Sequence, residues 1–386
     1  MATNQRLAAP WLSRPQLHAV FSALGHENCR LVGGCVRDGL LGLPVSDIDI
    51  ATTLVPTSVI GASQAVGIKA IPTGIDHGTV TLVVDGVPFE VTTLRRDVAT
   101  DGRRAVVDFA ADWQMDAARR DFTINALYAT LQGAVSDYFG GLPDLDAKRV
   151  RFIGDAQTRI EEDALRILRF YRFSARFSET LDQDGRAACR QKSAMIKSLS
   201  RERIAAEWFK MLGHDHPQQT LEAMADDGII GAFLPEADMP ALLQVIEREK
   251  QLGLAPDGLR RFAALLPKNK AKVEAAARRL KLSNAVRKDL AARAQAARSQ
   301  EPAAALYYRY GFQAGRDGLI MSGKMPSHGG GDWQRPVFPV RAADLQSKTK
   351  LEGKALGKAL HTLEEDWISS EFTLSKEDLI ARAADL

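Results

Sequence analysis

Gly33-Gly34-Cys35-Val36-Arg37-Asp38, followed ten residues after Arg37 by Asp47-Ile48-Asp49-Ile50-Ala51-Thr52, is the stretch on which the fold turns. The first run follows an expected strand and opens an expected helix. Its small residues let backbone N–H groups approach a phosphate at a helix N-terminus, and Arg37 adds a forked donor. In the second run, residues i and i+2 of a strand share a face, so Asp47 and Asp49 stand side by side while Ile48 and Ile50 enter the core. Adjacent carboxylates repel, and the arrangement is sensible when cations neutralise them. A donor set made only of oxygen favours magnesium, which keeps waters and substrate phosphates in its remaining positions. An isolated Asp-x-Asp is an ordinary surface-loop pattern. Glu90, between Phe89 and Val91 in a later expected strand, adds a third carboxylate if that strand lies beside the first. Three carboxylates beside a phosphate-binding turn are the setting for two-metal phosphoryl transfer.

Outward from this core, the first third carries short β-type runs at 29–32, 48–51, 67–71, 79–84 and 88–94, with helical runs at 16–24 and 57–66. Gly, Pro and Asp punctuate them, which predicts an α/β sheet domain. Beyond Asp144 the apolar spacing turns helical, at 156–177, 201–212, 217–225, 240–251 and 273–297. A Gly- and Pro-rich stretch at 323–339 marks a joint before the last helices. The expected class is α+β, an α/β head followed by an all-helical remainder.

Composition narrows the function. At 386 residues, 45% hydrophobic and 26% charged, the chain has room for two or more globular domains and is not disordered. No apolar run nears the roughly 20 residues that cross a bilayer, so no membrane partner is expected. Residues 1–10 lack the apolar core of a secretory signal, which makes cytoplasmic residence the expectation. Cys29, Cys35 and Cys189 include no Cys-x-x-Cys pair, which argues against a disulfide framework or a zinc cage; they read as small buried side chains. Basic residues gather at Arg119-Arg120, 166–176 and 268–288, where they follow a phosphate backbone or form solvated helix faces.

Gly33-Gly34-x-Val36-Arg37-Asp38 followed by Asp47-x-Asp49-x-x-Thr52 resembles the head motif of the class II tRNA nucleotidyltransferase and bacterial poly(A) polymerase family. Further motifs agree in order. Arg119-Arg120-Asp121-Phe122-Thr123-Ile124-Asn125-Ala126 resembles the motif that orders the sugar and phosphates of the bound nucleotide, Gly140-Gly141-x-x-Asp144-Leu145 the linker into the neck, and Glu162-Asp163-Ala164-Leu165-Arg166-Ile167-Leu168-Arg169 the neck motif that selects the base. Glu202-Arg203-Ile204-x-x-Glu207 resembles the helix that follows. The resemblance implies a polymerase β-like nucleotidyltransferase head at 1–139, a neck at 140–212, a body at 213–300 and a tail at 301–386. It implies template-independent addition and repair of the 3′ CCA of tRNA from CTP and ATP, with Asp47, Asp49 and Glu90 catalytic. Asp47 and Asp49 would hold Mg2+, and Gly33, Gly34, Arg37, Arg120, Asp121, Asn125, Asp163, Arg166, Arg169 and Arg172 would bind the nucleotide. Residues 95–113 resemble the family's flexible loop, which adjusts the base pocket from C to A, and this favours full over partial addition. Thr73-Gly74-Ile75-Asp76-His77-Gly78-Thr79-Val80 is similar to CCA-adding relatives, while poly(A) polymerase remains the nearest alternative.

The neck motif also carries a chemical argument. On a continuous helix Asp163 and Arg166 are neighbours on one face. An ionised Asp only accepts hydrogen bonds and an Arg only donates them. Cytosine and adenine each present an amino group beside an unprotonated ring nitrogen, whereas guanine and uracil present a carbonyl beside a ring N–H. One Asp and Arg pair therefore accepts C and A and rejects G and U, because a wrong base leaves buried polar groups unpaired. Arg169 and Arg172 drift round that helix and are expected to reach phosphates or primer. Lys268 to Arg287 is the expected backbone contact, and His214-Asp215-His216 is expected to be a loop.

Overall fold

The structure is a computed structural model describing residues 2–100, 105–109, 112–326, 333–349 and 351–383. It divides into two compact units, Met1–Phe233 and Leu234–Leu386.

The first unit holds an eight-stranded mixed sheet and a two-stranded hairpin. In chain order the strands are β1 (Ala2–Arg6), β2 (Cys29–Val32), β3 (Asp49–Thr52), β4 (Lys69–Gly74), β5 (Thr79–Val84), β6 (Val87–Thr93), the hairpin pair β7 (Arg95–Thr100) and β8 (Ala105–Phe109), then β9 (Leu127–Ala129) and β10 (Ala134–Asp137). The large sheet runs β1-β10-β9-β2-β3-β6-β5-β4, and within it only β3 and β6 pair in parallel. Helices α1 (Pro15–Leu24), α2 (Gly34–Leu40), α3 (Pro56–Ala65), α4 (Trp113–Ala118) and α5 (Gly141–Asp146) accompany the strands. The predicted head is therefore an α/β sheet domain, with β2, β3 and β5 where the apolar runs place them. Val32, Ala51, Leu94, Ala117, Ala126, Tyr128 and Ile153 pack as one buried cluster.

From residue 156 the first unit is helical: α6 (Ala156–Glu162), α7 (Leu165–Phe177), α8 (Gln183–Gln191), α9 (Arg201–Leu212) and α10 (Gln218–Asp226). The expected continuous helix at 156–177 is corrected to two. Asp163 is extended (φ −153°, ψ 104°) and its Oδ1 accepts from the Leu165 N–H at 3.1 Å. A short acidic side chain that offers the backbone an alternative partner ends one helix and starts the next.

Among the described residues the second unit is all helix: α11 (Met239–Gln251), α12 (Gly258–Leu265), α13 (Lys270–Arg279), α14 (Asn284–Arg298), α15 (Ala303–Tyr310), α16 (Phe312–Ser322), α17 (Ala342–Gln346), α18 (Gly353–Ser369) and α19 (Lys376–Arg382). The run at 273–297 is likewise two helices, because Lys281 is left-handed (φ 54°) and Ser283 caps α14 by accepting from the Val286 N–H. Helices α14 and α16 pack at backbone distance, since a Cβ on Gly318 would collide with Ala296. Their core holds charge. Arg260 joins Glu249 at 2.7 Å and Asp317 at 3.0 Å, Arg261 joins Glu249 at 2.7 Å, and Arg293 joins Asp317 at 2.7 Å, all five residues being buried.

Candidate active site

Parallel pairing of β3 with β6 sets Asp49 opposite Glu90. Residues paired across neighbouring strands present side chains to the same face, so the two carboxylates share one side of the sheet. Ile48 and Ile50 are buried, Asp49 is partly buried and Asp47 is exposed. The strand itself begins at Asp49, so Asp47 lies in the loop leading into it, where the Ser46 hydroxyl donates to its Oδ2 at 2.8 Å. Burial and the Glu90 carboxylate, with a smaller push from Asp47, hold Asp49 above the usual carboxylate range against the pull of Arg120. A site whose own charges are costly is one that a divalent cation relieves, and an oxygen donor set fits a hard ion. Among the described residues no three His, Cys, Asp or Glu gather closely enough to hold a metal unaided. The rest of any coordination shell falls to water and substrate oxygen.

The turn into α2 is made by Gly33, whose positive φ of 73° suits glycine; a Cβ there would also meet Arg120 Nη1 at 3.3 Å. Gly34 opens the helix, and one turn later Arg37 is 4% exposed. Its Nε donates to Asp38 Oδ1 at 2.7 Å and its Nη1 to Asn125 Oδ1. Asn125 Nδ2 donates to Asp121 Oδ1 at 3.0 Å, and Asp121 Oδ2 accepts from Arg169 Nε at 2.7 Å. The structure thus gathers Arg37, Asn125, Asp121 and Arg169 into one line of bonds from the sheet to α7. Burial pushes Asp121 up, but Arg169 and the donors around it leave it below the usual range.

Arg120 is held from beneath by Asp116, which sequence reasoning missed. Asp116 is 1% exposed; it accepts from Arg119 Nε at 2.8 Å, Arg120 Nη2 at 3.2 Å and the Tyr128 hydroxyl at 2.6 Å. Burial raises its carboxyl, and the two guanidiniums with the phenol more than reverse that, leaving it lowered. The signal was present in the spacing, since residues three and four apart on a helix meet.

In the neck, Asp163 and Arg166 do not stack on one helix face as expected. Asp163 Oδ2 accepts from Arg203 Nη2 at 2.6 Å, while Arg166 donates to the carbonyls of Arg159 at 2.9 Å and Arg119 at 3.0 Å and to Glu162. The break at Asp163 is the reason. Arg169 and Arg172 are bonded to Asp121 and Glu207; Arg172 Nε donates to Glu207 Oε2 at 2.5 Å. In the Glu202 motif, Glu207 therefore props the neck arginines, and Arg203 props Asp163. Gly140-Gly141-x-x-Asp144 is a clasp: the buried Asp144 accepts from the Thr123 hydroxyl at 2.6 Å and from Arg149 and Arg151, and a Cβ on Gly141 would collide with the Thr123 carbonyl.

His214-Asp215-His216 lies in the turn after α9, as expected, and His77 ends a short turn whose carbonyl accepts from Arg95 Nη1 at 2.5 Å. Asp101-Gly102-Arg103-Arg104 of the expected flexible loop lies outside the described residues; the segments on either side pair as β7 and β8.

Known proteins resemble this chain along most of its length. Residues 29–151 match the family described as "Poly A polymerase head domain", and 180–239 match "Probable RNA and SrmB- binding site of polymerase A". The mitochondrial CCA tRNA nucleotidyltransferase 1 of Mus musculus is 34% identical over 95% of this chain and 88% of its own length. The chain belongs to the CCA tRNA nucleotidyltransferase family. Within that family, the CCA-adding enzyme of Leuconostoc citreum is 40% identical over 58% of this chain and 54% of its own. Among solved structures, the Bacillus stearothermophilus CCA-adding enzyme in complex with CTP superposes with a TM-score of 0.75 at 25% identity, covering 96% of this chain and 98% of that one. The Thermotoga maritima CCA-adding enzyme complexed with tRNA shares the fold, with a TM-score of 0.69 at 18% identity over 99% and 98% of the two chains.

Proposed function

We propose that this chain adds and repairs the 3′-terminal CCA of tRNA, taking CTP and ATP in turn without a template and releasing pyrophosphate. The observation that carries the chemistry is the register of Asp49 against Glu90 beside the Gly33 turn. Identity to a named CCA tRNA nucleotidyltransferase along 95% of the chain supports the substrate.

In this reading Gly33, Gly34, Arg37 and Arg120 receive the triphosphate, and Asp121 with Asn125 holds Arg37 and Arg169 in place. Asp163, held by Arg203 and the Leu165 N–H, and Arg166 read the base edge through acceptor and donor. Asp47 and Asp49 hold Mg2+, and Glu90 keeps the field at Asp49 strongly negative. When bound, the metal eases deprotonation of the tRNA 3′ hydroxyl and neutralises the phosphates. The protein supplies position and fixed charge. Residues 95–113 adapt the pocket from C to A in this reading, hence full rather than partial addition. Head, neck, body and tail at 1–139, 140–212, 213–300 and 301–386 complete this reading. Three buried free cysteines suit a reducing compartment, which supports the cytoplasm.

The match to a poly(A) polymerase head favours that enzyme as the second reading. Primer extension separates them. With magnesium and a tRNA transcript ending at its discriminator base, CTP alone is expected to add CC, and CTP with ATP to add CCA. Asp47→Ala is expected to abolish incorporation, by at least roughly three orders of magnitude if the metal site is lost. Long A tails on any RNA would establish the polymerase instead, and growth with CTP only would establish partial addition.

A further inference from the structure

Phe173 and Phe177, one turn apart on α7, lie nearly parallel with ring centroids 6.0 Å apart, and both are buried. Four guanidinium groups surround them. Arg172 Cζ lies 4.1 Å from the Phe173 centroid, Arg169 5.1 Å and Arg37 5.2 Å; Arg37 is also 4.2 Å from Phe177 and Arg176 4.8 Å. Three of the four arginines sit on α7 itself, whereas Arg37 arrives from α2 beside the sheet.

Like charges crowded round one ring repel, and each has a polar partner at its edge: Asp38 and Asn125 for Arg37, Asp121 for Arg169, Glu207 for Arg172 and Asp38 for Arg176. Edge partners fix a planar guanidinium in its own plane and leave the flat face to be held by something else. An aromatic face does that, with an attraction that grows when water is excluded. Among the described contacts, Phe173 is the one ring that lies over both Arg37 and Arg169.

We propose that Phe173 is a positioning residue for nucleotide binding and selection: its ring fixes the faces of Arg37 from the sheet side and Arg169 from the neck helix. The phosphate-binding turn and the base-reading helix then meet a nucleotide at one set spacing. The inference rests on the reading of Arg37 and Arg169 as nucleotide-binding groups.

The test replaces Phe173 by mono-, di- and trifluorinated phenylalanine, which keep its shape while weakening the negative ring face stepwise, and by Phe173→Leu, which keeps apolar bulk without a π face. Incorporation of CMP, AMP and UMP on a tRNA transcript is measured alongside urea unfolding. The KM for CTP and ATP is expected to rise stepwise along the fluorinated series, reaching about tenfold in Phe173→Leu, the size of one buried cation–π contact. Preference for CTP over UTP should narrow in step, with the urea midpoint of the fluorinated proteins unchanged. A flat KM and unchanged UTP rejection across the series would reduce Phe173 to packing and overturn the proposal, whatever Phe173→Leu does to stability. Wild-type protein that incorporates no CMP would overturn the reading of the site and this inference with it.

Discussion

Asp116 shows how much one buried carboxylate can organise. It holds two arginines and a tyrosine, and neutralising it strands buried donors. Asp116→Asn is expected to cost about 3 kcal/mol in urea unfolding and to weaken CTP binding through Arg120, which isothermal titration would register. His214 gives a pH signature. Burial, reinforced by the nearby charges of Arg172 and Arg176 and only partly opposed by Asp215, lowers its pKa to about 4. A histidine kept neutral by folding contributes stability that is full above its unfolded value near 6.5 and is lost as pH falls from there toward 4. His214→Gln should flatten the urea midpoint over that window; an unchanged slope would mean another group governs it. At this scale the sequence was legible where residue type dictates chemistry, as in Asp49 and Glu90, or Ile48 and Ile50 turning inward. It was silent on Phe173, because a phenylalanine in an amphipathic helix reads as core whether or not arginines lie on its face.

Elements are limited by their ends. Apolar periodicity found α6 with α7, and α13 with α14, but ran each pair together, because the hydrophobic stripe continues across a break. What stops each first helix is local: Asp163 bonds the Leu165 N–H, and Lys281 turns left-handed before the Ser283 cap. That β6 lies beside β3 was legible only as a condition on Glu90, and their parallel register was not, since strand order is fixed by tertiary packing. Between sheet and neck, the Gly141 clasp tolerates no added atom. Gly141→Ala is expected to destabilise by roughly 1–3 kcal/mol, with a lower melting temperature by calorimetry and no change in which nucleotides are chosen; an unchanged melting temperature would mean the backbone gives way freely.

The whole chain divides into two units, one a sheet domain with attached helices and the other helical, with apolar core clusters and a buried ionic cluster beside them. Composition foretold more than one domain but not where the chain divides. No helix among the described residues is long and apolar enough to cross a membrane. Lys270 and Lys272 belong to α13, in the basic stretch expected to meet the tRNA backbone, and Lys270 stands exposed. If this face follows that backbone, replacing both by Gln reduces the salt dependence of tRNA binding by roughly 0.7–0.9 in log–log slope for each phosphate no longer neutralised; an unchanged slope would remove the face from the interface. The order of the strands also bears on synthesis. Asp49 lies early in the chain, but its neighbours in the sheet are β2 and β6, and β2 is itself flanked by β9 near residue 127. A nascent chain that has left the ribosome only as far as Asp49 therefore lacks the partner carboxylate of Glu90, and the catalytic centre comes into being only after β6 has followed and paired with β3.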